Sequence, residues 1–153
     1  MSALTPQDAT NEMFGRYATA IATVNPSIIN YVPITYYQGK KVDEKPDTSK
    51  YFCRVSQATV MEEQRTLTTD CFAPGFKRFG VDGILCVQIF CPKSDARAWE
   101  RGRAMAKIVR DAYRRNVAGD SIVYRRSRIV ELSPELECLR LNVIAEYEYD
   151  EIG

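Results

Sequence analysis

The chain has no histidine among its 153 residues. That removes the side chain that most often acts as a general base, completes a nucleophilic triad or ligates a metal near neutral pH. The glycine-rich loops that cradle phosphates, G-x-x-x-x-G-K-[ST] and G-x-G-x-x-G, are also missing. None of the five cysteines, Cys53, Cys71, Cys86, Cys91 and Cys138, forms a C-x-x-C pair, so no zinc site is expected. Apolar runs fall well short of the ~20 residues needed to cross a bilayer. The opening residues, Met1 to Pro6, show no basic segment followed by an apolar one. A protein made and kept in a cytoplasm is therefore expected, with its cysteines reduced and no membrane partner. No enzyme, metal site or cofactor is expected. Candidate acid pairs such as Glu146 and Glu148 read as solvated charge, and only Cys53, beside Arg54, suggests an activated thiol.

What is present fits one α+β domain over residues 1–153, a length that buries a real core. Thr5 reads as a helix N-cap with Pro6 at the first helical position and Asp8 in the first turn. The apolar stripe Met13, Tyr17, Ala20, Ile21 and Val24 predicts a helix to about Thr23, stopped by Asn25-Pro26. Ser27 to Lys50, with Pro33, Gly39, Pro46 and a charged run, reads as an extended connector rather than a regular element. Its tyrosines, Tyr31, Tyr36 and Tyr37, either pack back on the domain or meet another subunit, where Tyr is enriched.

Tyr51 to Ser56 reads as a strand. Gln57 to Gly75, polar and threonine-rich, is a protruding loop or β-hairpin arm. Phe76 to Cys91 reads as one long strand or two broken at Gly80 to Gly83. Ile84 to Cys91 is apolar on both faces apart from Gln88, which predicts a central strand ended by Pro92. Ser94 is the expected cap of a second helix, with Asp95 at its start. Ala98, Gly102, Met105, Val109 and Ala112 form its buried stripe, widened by Trp99, Ile108 and Tyr113. Asn116 to Asp120 is a turn, Ser121 to Val130 a strand, and Ser133-Pro134 a further turn. From Leu139 onward the chain alternates strictly. Leu139, Leu141, Val143, Ala145, Tyr147 and Tyr149 share one face, and Arg140, Asn142, Glu146, Glu148 and Asp150 share the other, with Ile144 the exception. The expected fold is a mainly antiparallel sheet of four to five strands packed by two helices.

A formal net charge of +1 conceals segregation. Ser94 to Arg128 holds ten Lys/Arg and four Asp/Glu, 10 − 4 = +6, whereas Ile129 to Gly153 holds one Arg and seven acids, 1 − 7 = −6. Either the two stretches neutralise each other within one molecule, or they steer head-to-tail contacts between copies. On the second reading Arg110, Arg114 and Arg115 meet Glu146, Glu148 or Asp150 of a neighbour. The basic helix 94–115 also admits non-specific nucleic-acid binding.

The segment Asp82 to Ser94, the alanine- and arginine-rich helix after it, Ser127 to Val130, and Leu141-Asn142-Val143 leading to Tyr147-Glu148-Tyr149-Asp150-Glu151 resemble the tail terminator (tail completion) proteins of long-tailed bacteriophages. The likeness covers residues 5 to 151 in element order and is close over 76–115 and 139–151. Its motifs, a G-x-L-x-V-Q-x-F-x-P strand and a final N-V-x-x-x-Y-x-Y strand, encode packing. The chain departs from the family in Gln57 to Gly75, which is longer and less glycine-rich; Met61, Cys71 and Phe72 have no counterpart in the pattern. The resemblance implies a ring, usually of six copies, in the tail or neck of a virion assembled in the host cytoplasm. Such a ring ends tube polymerisation, contacts the tail tube protein and the head-tail connector protein, and lets DNA pass through its lumen without binding it specifically. Another head-tail connector subunit is the nearest alternative.

Overall fold

The computed structural model describes residues 3–40, 45–64, 78–115, 121–135 and 137–152, and every structural statement below is made of these. It is an α+β fold, a mixed and mostly antiparallel sheet packed against two long helices. In chain order the elements are β1 (Ala3–Leu4), α1 (Pro6–Ala22), α2 (Val24–Ser27), β2 (Ile34–Tyr37), β3 (Phe52–Gln64), β4 (Arg78–Pro92), α3 (Ala98–Arg114), β5 (Ile122–Glu135) and β6 (Cys138–Ile152). The strands run β1-β6-β4-β3-β2, and β5 lies along the same edge of β6 as the two-residue β1. The pairs β3–β4, β4–β6 and β5–β6 are antiparallel; β1–β6 and β2–β3 are parallel.

The first helix forms as its sequence dictates. The Thr5 hydroxyl accepts the Asp8 N–H at 3.2 Å, and Ala9, Met13, Tyr17, Ala20 and Ile21 are buried at helical spacing. At Asn25 the backbone leaves helical geometry, and the Asn25-Pro26 peptide is cis. The connector that follows is not irregular throughout. Ile34 to Tyr37 forms β2, parallel to Phe52–Val55, and the Tyr17 hydroxyl lies 2.7 Å from the Thr35 hydroxyl. The proline-rich flanks hid a four-residue strand that β3 supplies with a partner.

The β4 strand is continuous through Gly80 to Gly83, where a break was one expectation. Gly83 lies opposite Tyr147, whose ring occupies the space a Cβ there would need. This covered glycine keeps the strand regular. As predicted, β4 is central, between β3 and β6. Its alternate residues Val81, Leu85, Val87, Ile89 and Cys91 face the helices and are fully buried. The opposite face carries no helix, and there Ile84 is exposed and Cys86 half-exposed.

The second long helix begins at Ala98, not at Ser94. Arg97 is at the N-cap without a side-chain capping bond. The Asp95 N–H bonds the Pro92 carbonyl and the Ala98 N–H bonds the Asp95 carbonyl, so residues 92–98 turn before the helix starts. Gly102 sets the helix-to-sheet distance: a Cβ built on it would lie 2.5 Å from Cys91 Sγ and 3.0 Å from Leu141 Cδ1. Ala98, Gly102, Met105, Ala106, Val109 and Tyr113 are buried. Trp99, Ile108 and Ala112 are only half-buried, because they lie at the margin of the contact.

The C-terminal hairpin is longer than expected. The β5 strand reaches Glu135, so Ser133-Pro134 is not its turn, and the chain reverses around Glu137, at φ 58°. Pro134 is tolerated because β5 is an edge strand, where a missing N–H breaks no ladder. The turn expected at Asn116 to Asp120 lies outside the described residues.

Candidate interaction surfaces

The sheet divides the molecule into two unlike sides. Strand alternation puts Leu141, Val143, Ala145, Tyr147 and Tyr149 under the helices in the main core, and Arg140, Asn142, Ile144, Glu146 and Glu148 on the open side. The open side has its own small cluster at one end. Phe52 and Phe90 stack at 4.5 Å, Tyr36 meets Phe52 edge-on at 5.9 Å, and Cys138 completes the group.

The three sequence-predicted tyrosines do not form one patch. Because β2 is a strand, Tyr36 packs on the open side, while Tyr37 turns to the helix side against Phe14 at 5.3 Å and Tyr17 at 6.2 Å. The Tyr31 hydroxyl accepts the Tyr51 N–H at 2.9 Å. All three pack back on their own domain and remain half-exposed.

Charge follows the same division. On the helix side, α3 presents Arg103, Lys107, Arg114 and Arg115 to solvent. Arg110 lies 3.3 Å from Asp111, which also takes Lys107 at 2.8 Å, and Arg114 donates to the Ser127 carbonyl at 3.3 Å. The β6 acids lie on the open side and pair with β5 of the same chain: Glu146 with Arg126 at 3.1 Å and Arg128 at 3.2 Å, Glu148 with Arg125 at 3.0 Å. Asp150, expected as an exposed acid, is buried where β1 pairs in parallel with the end of β6. Within one copy, then, the α3 arginines and the β6 acids lie on opposite sides of the sheet. Exposed pairs such as these are worth about 0–1 kcal/mol each.

The C-terminus of α3 is anchored rather than free. Arg16 of α1 donates to the carbonyls of Ala112 at 3.1 Å and Arg115 at 2.8 Å, and its guanidinium stacks on Tyr124 at 4.8 Å. The Tyr113 hydroxyl donates to the Met13 carbonyl at 2.6 Å. Between the two helices lies a cleft of about 690 Å³, floored by Gly15, Ala20, Ile108 and Ala112.

Sequence reading missed a polar junction. Asp95 accepts the Tyr51 hydroxyl at 2.6 Å, Arg101 at 2.8 Å and the Arg97 N–H at 2.9 Å. The Tyr51 bond, followed by the Arg97 N–H, holds the Asp95 carboxyl below its usual range. Burial, then the Asp95 bond, raises the Tyr51 phenol. This group ties β3, the turn after β4 and α3 together. From sequence Asp95 is expected only as an acid at the start of a helix capped by Ser94, and no local pattern announces a partner 44 residues earlier.

The suspected thiol is not activated. Cys53 points into the core while Arg54, the next residue on the strand, takes the other face, and burial pushes the Cys53 thiol up to about 12. Among the described residues no three metal-ligating side chains gather, and no helix is long and apolar enough to cross a membrane.

The hairpin β3–β4 forms the first half of the expected arm, since Gln57 to Gln64 is strand and pairs with Phe79 to Leu85. The remainder of that segment, 65–75, lies outside the described residues. Val60 and Met61 on this arm are 65% and 53% exposed. No protein-family model and no curated protein matches the chain.

Proposed function

We propose that this protein is a structural ring subunit of a phage tail or neck, one that caps the tail tube, ends its polymerisation and joins the tail to the head connector. The observation that carries the reading is the two-sided subunit: one face of the sheet covered by two long helices bearing arginines, and an open face on which Glu146 and Glu148 are paired with arginines of β5. A subunit with two unlike faces joins copies head to tail, and such contacts close into rings when the rotation permits. The resemblance of residues 76–115 and 139–151 to tail terminator proteins supplies the place of such a ring, at the head-proximal end of the tube. On this reading the protein catalyses no reaction, and DNA passes through the lumen without specific contacts. The half-exposed tyrosines 31, 36 and 37 and the α3 arginines 110, 114 and 115 are the side chains we assign to subunit contacts; Glu146 and Glu148, held by β5 arginines of their own copy, are not placed opposite them. Asp150 is buried and is dropped from that set.

Native mass measurement on the purified chain, with and without duplex DNA at two salt concentrations, tests this. A single closed oligomer, six copies on the resemblance, unchanged by DNA, is the expected result. A monomer that takes up DNA at low salt and releases it steeply as salt rises would replace this reading with that of a basic nucleic-acid-binding module.

A further inference from the structure

We propose that copies of this chain join edge to edge, the free outer edge of the β3 arm pairing with β5 of the next copy to make one continuous antiparallel sheet around the ring. This rests on the ring reading above and specifies which surfaces meet.

Three features of the sheet lead to it. Both of its edges are open over long stretches. Among the described residues β2 covers only Phe52–Val55 of the 13-residue β3, and β5 pairs with β6 alone along its 14 residues. At the last covered position the Val55 carbonyl takes the Gln38 N–H at 2.9 Å and the Gln57 N–H is held by the Gln38 side chain at 2.8 Å. Beyond it, no described strand meets this edge.

The strand directions also match. β3, β4, β6 and β5 alternate across the sheet, so β3 of one copy and β5 of the next run antiparallel when the sheets lie side by side. The cross-strand rows are level as well. Met61 shares a row with Asp82, Glu148 and Val123, and Ala58 shares one with Ile84, Glu146 and Arg125. Residues in one row point to the same face, so pairing at this height puts like side with like side.

Finally, the two edges are chemically unlike. The arm reads Val60-Met61-Glu62-Glu63, and β5 reads Arg125-Arg126-Ser127-Arg128. Exposed apolar residues on a free edge mark a strand that accepts a partner. With Met61 level with Val123 the acids fall beside Ile122 and β1; shifted by two residues, with Met61 opposite Arg125, Glu63 lies diagonal to Arg125 on the same face, whereas arm with arm would set acid against acid.

Cysteine cross-linking tests the geometry. Met61→Cys is combined with Val123→Cys, and separately with Arg125→Cys to allow the two-residue stagger that tilted strands bring on closing. Within one copy these positions are three strand spacings apart, about 14 Å, too far for a disulfide. Oxidation of the assembled double variants should give a ladder of covalent multimers on non-reducing gels, absent from each single variant. A closed oligomer by native mass with no ladder from either double variant overturns the edge pairing and leaves the ring standing. A chain that stays monomeric overturns both. As a second measure, Met61→Lys with Glu63→Arg should shift the oligomer to monomer without changing the circular dichroism spectrum. Unchanged oligomer content in that variant also counts against the pairing.

Discussion

Substituting Gly102 by alanine probes how rigidly α3 is seated on the sheet. Two effects of opposite sign compete. Alanine is the better helix former by about 0.8–1.0 kcal/mol in a helix interior. Against this, the added methyl would lie 2.5 Å from Cys91 Sγ and 3.0 Å from Leu141 Cδ1. Both neighbours are fully buried, on strands β4 and β6 in the middle of the sheet, and have nowhere to swing. Overpacking of this kind costs about 1–3 kcal/mol. The steric term should win, leaving Gly102→Ala less stable by about 1 kcal/mol and lowering the melting temperature by about 2–4 °C for a chain of this length. Cys91→Ala opens the space the methyl needs. Alone it should cost about 1 kcal/mol through the cavity it leaves. Combined with Gly102→Ala it should cost less than the sum of the two, by roughly 1 kcal/mol or more, because the substituted groups touch. Urea denaturation of all four proteins measures the cycle. A Gly102→Ala variant more stable than the parent, with additive behaviour in the double variant, would refute the reasoning and show that the helix can lift off the sheet.

Trp99→Ala should cost about 2 kcal/mol, roughly half the loss for a fully buried aromatic, since Trp99 is half-buried beneath the Arg103 guanidinium at 5.3 Å; denaturant midpoints give the value. Asp95 is held below its usual range by the Tyr51 hydroxyl and the Arg97 N–H, so its contribution is complete above the unfolded value near ~3.9 and is lost as pH falls through the lower folded value. Asp95→Asn should therefore flatten the loss of stability below about pH 4, and a parent and variant with parallel acid profiles would contradict that. Reversing Arg114 and Arg115 to Glu should lower oligomer content at low salt while leaving the fold intact. Sedimentation that matches the parent would confine the α3 arginines to solvation. Blocking reagents should leave Cys53 and Cys91 untouched in the native protein, since burial pushes both thiols up to about 12; labelling of either as fast as in urea would contradict their placement.

Much of the architecture follows from local pattern. The first helix is legible from Thr5-Pro6 and the Met13, Tyr17, Ile21 spacing, because the cap and the stripe lie within one element and depend on no partner. The face assignment of β6 follows from strict alternation, since a strand packed on one side has no other way to place Leu141, Val143 and Ala145 together. The same holds for the central position of β4, whose apolar run needs a strand on each side.

Tertiary structure decided the rest. Ile34 to Tyr37 is a strand because β3 presents an edge to it, and nothing within Ser27 to Lys50 announces that edge. Ser94 fails as a cap because the turn from Pro92 commits Asp95 to Tyr51, a residue 44 positions earlier. Charge segregation is visible in the chain, but its meaning is not. Sheet order puts β5 beside β6, so Glu146 and Glu148 find their arginines at 125, 126 and 128, and the α3 arginines are left on the other side of the sheet. Sequence records how many charges a segment carries and at what period. Which of them meet is set by strand order and by the side of the sheet on which each helix lies, and those depend on contacts between residues far apart in the chain.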